Sequence, residues 1–479
     1  MRQTRSAGKA VTISDDDLAR LLSDEPGPDI QRLDHGAITD LTCAELLIEK
    51  HGRNLRHCHP WAQWLIWQGG RWEPDVEGHA EHLAKQILRR LLHRATEIED
   101  RDERARRIKG IIAAERSSRI RGSLDLARSE PLIPVRPDQF DADPWLFNAT
   151  NGTIDLRTGD HRPARREDLI TRQTPVTHNP DAEAPTWTAF LERVLPDQAI
   201  RRFLQRAVGY SLTGGNPAQI LLILYGSGAN GKSTFLETIR ALLGDYGQQA
   251  PPETFLAKHD GIPNDVARLR GARFVAATEI GEGRRLNEPL IKRLTGGDTL
   301  VARYLRQEYF EFQPQFTPWL ATNHKPEIRG TDEAIWRRIR LVPFTETIPP
   351  AERDEQLKEK LANELPGILN WALDGCAAWQ NDGLAEPEAV RAATDEYRAD
   401  QDELGNFIAD RCHTGDGHRC LAADLYDAYR DWTKANGLEP ITSQSLGRRL
   451  AERGYERSTS RAGRGWNGLS VENGQEELK

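Results

Sequence analysis

The stretch at residues 218–244, AQILLILYGSGANGKSTFLETIRALLG, decides how the chain is read. Residues 220–224 are continuously apolar, as a strand covered on both faces must be, and residues 233–243 carry apolar side chains at helical spacing. Between them, Gly226, four residues, then Gly231-Lys232-Ser233 complete a phosphate-loop pattern in strand, loop, helix order. Glycines let backbone N–H groups close around phosphate oxygens, and the helix N-terminus adds the positive end of its dipole. Gly226, Gly228, Ala229, Asn230, Gly231, Lys232, Ser233 and Thr234 are therefore the candidate nucleotide-binding residues. Lys232 would reach the β and γ phosphates and the Ser233 hydroxyl would ligate Mg²⁺, with Thr234 supporting the cradle, so ATP and Mg²⁺ are the expected ligand and cofactor.

Further along, residues 274–277 form a second apolar strand ending at Thr278 and Glu279. A carboxylate there can hold Mg²⁺ or polarise the attacking water, and Glu282 is a secondary candidate. Thr278 stands where many P-loop ATPases carry aspartate, which leaves open whether Glu279 serves metal, water or both. A third strand, residues 317–321, leads to Thr322 and Asn323, whose amide can sense the γ-phosphate and orient water. The segment DEAIWRRIRLVPF (residues 332–344) then places Arg337 and Arg338 at the start of an edge-like strand. A guanidinium there could stabilise transition-state charge on a neighbouring subunit's γ-phosphate.

In order, NGTIDLRTGD (151–160), GSGANGKST (226–234), RLRGARFVAATEI (268–280), IKRLTGGDTLVARYL (291–305), WLATNHKPEI (319–328) and DEAIWRRIRLVPF resemble the superfamily 3 helicases. The likeness is to the poxvirus-type and satellite-phage-type primase-helicases of viruses, plasmids and mobile elements, and it covers roughly residues 40 to 470. The resemblance implies a homo-oligomer, a hexameric ring of AAA+-like subunits with ATP between neighbours and single-stranded DNA through the centre. It makes Lys232 and Ser233 the Walker A pair, Glu279 the Walker B acid, Asn323 the sensor, and Arg338 the arginine finger with Arg337 in reserve. Residues 292–312 read as a helix end, a turn and two strands; in the family this stretch projects into the channel, making Lys292, Arg303 and Arg306 candidates for DNA contact. Translocation from 3′ to 5′ is implied by resemblance alone.

The fold class read from these elements is α/β: an AAA+-like P-loop NTPase core, an α/β N-terminal domain and a C-terminal winged-helix domain. The boundaries are a flexible lead-in at 1–30, the N-terminal domain at 31–185, the ATPase at 186–345, a helical linker unit at 346–400, the winged helix at 401–470 and a tail at 471–479. In the last domain an amphipathic helix, a second helix opened by Thr442 or Ser443 and an arginine-rich hairpin match a winged helix. Ser445, Arg448, Arg449, Arg461 and Arg464 would then meet duplex DNA.

No apolar run approaches the ~20 residues of a membrane span and no secretory signal opens the chain, so a cytoplasmic protein without a membrane partner is expected. Five scattered cysteines read as reduced thiols. His57-Cys58-His59 and the Cys412, His413, His418, Cys420 group lack paired metal-ligand spacing, and Trp61, Trp64, Trp67 and Trp72 read as N-terminal core. Only about thirty residues precede the family-like segment and they lack an acidic metal cluster, so primer synthesis is not expected. The competing functional readings are an ATP-binding replication initiator or origin-binding protein without strong unwinding, and a P-loop kinase, which would need a lid that the sequence does not signal.

Overall fold

The computed structural model describes residues 38–257, 264–303, 309–328, 333–460 and 463–472. The chain divides into a unit ending at His178 and a unit beginning at Asn179.

In the first unit, α1 (Asp40–His51) starts where the Thr39 hydroxyl accepts the Thr42 N–H. β1 (Leu55–Cys58), β2 (Gln63–Gln68) and β3 (Arg71–Pro74) form an antiparallel meander. The Asp75 carboxylate then accepts N–H groups of His79 and Ala80, opening α2 (His79–Thr96). α3 (Arg101–Ala114) and α4 (Ser117–Ala127) pack with α1 and α2 around Leu47, Ile87, Leu91 and Ile111. β4 (Leu146–Ala149), β5 (Gly152–Asp155) and β6 (His161–Arg162) make a second antiparallel sheet.

The tryptophans do not behave as one core stripe. Trp72 is fully buried, with its Nε1 donating to the Arg166 carbonyl at 2.9 Å. Trp64 and Trp67 are half-buried, and Trp61 is 37% exposed. Spacing along the chain carries no record of the one-turn segment at residues 59–61 that turns Trp61 outward.

The second unit begins seven residues before the position expected from the proline pattern, because Asn370 Nδ2 donates to the carbonyls of Asn179 (2.8 Å) and Ala182 (3.0 Å) and so ties the entry segment to this unit. Next come α5 (Pro185–Val194), α6 (Gln198–Ser211), β7 (Leu221–Tyr225), α7 (Lys232–Leu243), β8 (Gly247–Gln249), α8 (Asn264–Ala267), β9 (Phe274–Thr278), α9 (Glu288–Gly296), β10 (Leu300–Ala302), β11 (Phe310–Phe312), β12 (Thr317–Thr322), α10 (Glu333–Trp336) and β13 (Ile339–Pro343). Five of these strands form one parallel sheet in the order β13-β7-β12-β9-β8. Both faces are covered, which is why β7, β9 and β12 are buried along nearly their whole length and carry apolar runs instead of alternating. β7 has β12 on one side and β13 on the other, so the crevice beyond its carboxyl end is where an open parallel sheet receives ligands. β10 and β11 pair antiparallel as an excursion outside this sheet.

Residues 346–400 do not stand apart as a linker. α11 (Leu357–Asn363) leads into α12 (Leu365–Asp382), which lies along α6, and α13 (Glu388–Asp400) lies on β13. The Leu341 N–H donates to the Thr394 hydroxyl at 3.0 Å, and Tyr397 is buried in the core beneath the sheet. Helical periodicity reveals an apolar face but not the surface that it covers. The α6–α12 crossing depends on glycine: a Cβ on Gly209 would lie 2.0 Å from the Cys376 nitrogen, and one on Gly375 would lie 2.1 Å from the Gln205 carbonyl oxygen.

The C-terminal segment runs α14 (Glu403–Arg411), β14 (Cys412–Leu421), α15 (Ala422–Ala435), α16 (Ser443–Glu452), β15 (Glu456–Ser460) and β16 (Gly463–Val471). Its strands pair antiparallel in the order β14-β16-β15 over a core that includes Phe407, Tyr429, Leu450 and Leu469. The Thr442 hydroxyl caps α16 as expected, while the sequence reading contains no counterpart of α14 or of β14.

Gly209→Ala and Gly375→Ala should each destabilise the protein by about 1–3 kcal/mol, because the methyl group must push the two helix backbones apart. Thermal or urea unfolding of the two variants checks this, and an unchanged midpoint in both would show that the helices do not cross at these glycines.

Candidate nucleotide site and nucleic-acid interface

The loop between β7 and α7 turns on residues suited to its backbone. Gly228 and Gly231 have φ of 110° and 82°, and a side chain on Gly226 would collide with the Phe344 carbonyl at 2.2 Å. Asn230 is buried and fastens the loop: its Nδ2 donates to the Phe344 carbonyl at 3.1 Å, and its Oδ1 accepts from Lys232 Nζ at 2.8 Å. Lys232 is only 5% exposed, and its Nζ also donates to the Gly226 carbonyl at 2.7 Å and to Asn323 Oδ1 at 3.0 Å. Burial pushes the ammonium down to about 8.

Gly228, Lys232, Ser233, Glu279 and Asn323 all line one polar cleft of about 500 Å³. The structure thus brings together the predicted loop, the β9 tip and the β12 tip. Ser233 and Glu279 are exposed within it, two oxygen donors of the hard type that Mg²⁺ prefers. A Cβ at Gly228 would meet no atom within 4 Å, so the loop is uncrowded on that side and it is the positive φ that calls for glycine there. Glu279 has φ of 67°, a left-handed conformation that L residues adopt at a cost of roughly 1–3 kcal/mol. Its N–H donates to the Ala321 carbonyl at 3.0 Å, which holds the strained residue to the neighbouring strand. Glu282 does not line the cleft.

A second cleft, of about 540 Å³, adjoins the loop on its other side and shares Ala229, Gly231 and Thr234 with the first. Phe190, Ile348 and Leu357 give it apolar walls, and the Ile348 N–H donates to the Ala229 carbonyl at 2.8 Å. These residues come from α5 and from the segment after β13, too far along the chain for any local motif to signal them.

Arg338 does not occupy the position expected of a group reaching outward. It is 6% exposed, its Nε donates to the Thr295 hydroxyl at 3.0 Å, its Nη1 to the Ala334 carbonyl at 2.5 Å and its Nη2 to Gln219 Oε1 at 3.2 Å. It clamps α9 to the entrance of β7, whereas its neighbour Arg337 is exposed. Residues at adjacent positions entering a strand point to opposite sides, and here the second arginine turns inward.

Among the predicted nucleic-acid contacts, Lys292 is half-buried in α9, and Arg303, exposed at the end of β10, lies over the Tyr309 ring at 5.0 Å. Arg306 and Arg461 lie outside the described residues. Arg448 is exposed and Arg449 half-buried on α16, and Arg464 is exposed on β16. Beside them the sequence reading missed Arg419, whose Nε donates to the Ser458 hydroxyl at 3.1 Å, and Arg457, which lies 5.7 Å from the Trp466 ring centre. Only strand pairing brings Arg419 to this sheet.

Comparison with known proteins groups the chain at this level. Residues 44–196 match the family described as D5 N terminal like, and residues 224–338 match a family of unknown function, DUF5906. The chain is 29% identical over 323 residues to "Putative helicase L207/L206" of Acanthamoeba polyphaga mimivirus, covering 62% of this chain and 34% of that protein. It is 28% identical over 389 residues to "Putative helicase 022R" of Frog virus 3, covering 63% of this chain and 40% of that protein. With "Putative primase C962R" of African swine fever virus it shares 23% identity over 329 residues, 62% of this chain and 34% of that protein. The chain therefore spans well under half the length of these relatives. Among solved structures, the A form apo structure of the NrS-1 C terminal region matches with a TM-score of 0.49 and 9% identity, covering 90% of this chain and 100% of that one. The two family matches and the relatives named helicase or primase in large DNA viruses make the chain similar to the D5-type primase-helicases. Among the described residues no helix is long and apolar enough to cross a membrane.

Glycine should be tolerated at position 279 as it is not elsewhere in a strand end. Glu279→Gly is expected to match or exceed the stability of Glu279→Ala by about 1 kcal/mol, since only glycine adopts positive φ without strain. Denaturant unfolding of the pair measures this, and a less stable glycine variant would mean that the backbone there is not left-handed.

Proposed function

We propose that the protein is an ATP-driven helicase of a replication system, assembling as a ring that moves along single-stranded DNA. The observation that carries this reading is the buried Lys232 ammonium, ringed by oxygens from the loop and from Asn323 in a cleft that also holds Ser233 and Glu279. Entering phosphates would take over Lys232 from Gly226, Asn230 and Asn323, releasing Asn323 to orient water. Glu279 would accept a proton from that water or position it. Ser233 and Glu279 would hold Mg²⁺, which when bound neutralises phosphate charge. The apolar cleft beside Phe190, Ile348 and Leu357 suits the base and ribose. Arg337, exposed at the edge of the sheet, is the better candidate for a finger offered to a neighbouring subunit, with Arg338 holding the edge in place.

The strand order β13-β7-β12-β9-β8 suits an AAA+-like subunit, and the relatives' helicase names favour DNA over a small acceptor. The β10–β11 hairpin with Arg303, and Lys292 on α9, would meet single-stranded DNA through its phosphates. The helix, strand, helix, helix, hairpin order of the C-terminal segment suits a winged helix, with α16 and Arg448 toward duplex and Arg419, Arg457 and Arg464 on its sheet.

Single-stranded DNA should stimulate ATP hydrolysis, and the protein should unwind a forked duplex. Lys232→Ala should lose both activities, and Arg337→Ala should lower kcat by about a thousandfold without loss of nucleotide binding. Arg338→Ala should instead lower stability by about 2–3 kcal/mol, as expected when hydrogen bonds to a buried charge are lost. Nucleotide binding without DNA-stimulated turnover or unwinding would favour an initiator in which ATP only supports assembly.

Phosphate should also raise the Lys232 pKa from its depressed value, so nucleotide binding takes up a proton near pH 8 and weakens as pH rises through that value. Calorimetric titration in buffers of different ionisation enthalpy measures the proton. Its absence at pH 8, or its persistence in Lys232→Arg, would assign the linkage elsewhere.

A further inference from the structure

Within the N-terminal unit, one helical stretch carries charge opposite in sign to the chain as a whole. Residues 79–128 hold thirteen Lys and Arg against eight Asp and Glu, a net of +5 in a chain whose total is −8. They form α2, α3 and α4, which pack on one another. Arg89, Arg101, Arg106, Lys109, Arg116 and Arg121 are exposed there with no ion-pair partner among the described residues.

A cleft of about 620 Å³ opens between α4 and the turn joining β1 to β2, with Trp61, Trp64, Arg121 and Arg128 on its walls. Trp61 is held outward by Pro60 and by Ala62 at φ 50°, and the Phe140 ring stacks on it at 5.4 Å with 17° between the planes. The acidic groups of the cleft are engaged. Asp75 accepts the N–H groups of His79 and Ala80, Glu81 pairs with Lys85 at 2.6 Å, and Asp125 pairs with Arg128 at 2.9 Å. Arg121 is left as an unpaired cation, and the Arg128 Nε is buried without a partner. An indole braced on one side, beside a free guanidinium and a buried donor, suits a planar ring joined to an anion.

We propose that this cleft is a binding site for single-stranded nucleic acid, with one unpaired base stacked against Trp61 and neighbouring phosphates at Arg121 and along the basic helices. A base within a duplex is covered on both faces and could not use the indole, so the site selects single strands. This site lies in the N-terminal unit and does not depend on the nucleotide chemistry proposed above.

The test is binding of labelled oligothymidylate, oligouridylate and a blunt DNA duplex to the full chain carrying Lys232→Ala, without nucleotide, so that failure of the motor reading leaves the result intact. Trp61→Ala should weaken binding of the single strand about tenfold, with Trp61→Phe restoring most of it. Arg121→Glu should reduce the slope of log affinity against log salt by about 0.7 or more, one phosphate contact or more. A single strand carrying 5-iodouracil should cross-link to the peptide that contains Trp61, and comparison of the two oligonucleotides tells whether DNA or RNA is preferred. Unchanged affinity in Trp61→Ala with no cross-link at that peptide, or an equal loss on blunt duplex, overturns the proposal. Melting curves confirm that each variant is folded.

Discussion

A lysine ammonium withdrawn from water sets the terms for the second unit. A charge in such a position needs oxygens around it, and Lys232 finds them on Gly226, Asn230 and Asn323. These come from the end of β7, from the loop and from the tip of β12, so the lysine can be buried only if β12 lies directly beside β7. Asn230 extends the requirement to the other side of β7 by donating to Phe344, just past β13. The arrangement at the centre of the sheet and the arrangement of the cleft are one constraint.

The same cleft holds conformations that would be unfavourable elsewhere. Glu279 is left-handed at the end of a strand, Ala229 has φ of 48° within the loop, and both line the cleft. Strain of this kind persists only where surrounding bonds over-determine the backbone, as the Glu279–Ala321 and Ile348–Ala229 hydrogen bonds do. The lowered lysine pKa and the strained carboxylate position come from separate segments that meet in this cleft.

Around the sheet, helices are placed by close backbone approach as much as by apolar area. The glycines of α6 and α12 bring two helices nearer than side chains would permit, which draws residues 365–382 into the core of the second unit. At the edge of the sheet, two adjacent arginines take opposite parts: Arg338 is spent inside, on Thr295, Ala334 and Gln219, and Arg337 is left outside.

By itself the sequence determined the strand, glycine-rich loop and helix at residues 220–243, the strand ends bearing Glu279 and Asn323, the strand start bearing the arginine pair, and the paired strands of the hairpin. Those features are local: apolar runs, glycine spacing and turn residues lie within a few positions of one another and fix φ, ψ and burial directly. Tertiary structure alone decided which arginine is free, because Arg337 and Arg338 differ only in the side of the strand that each faces. It alone supplied the apolar cleft of Phe190, Ile348 and Leu357, brought Arg419 beside Ser458, and turned Trp61 out of the core while Trp72 stayed in. Each of these depends on segments far apart in the chain meeting across a sheet or a turn, and composition and periodicity carry no information about such meetings.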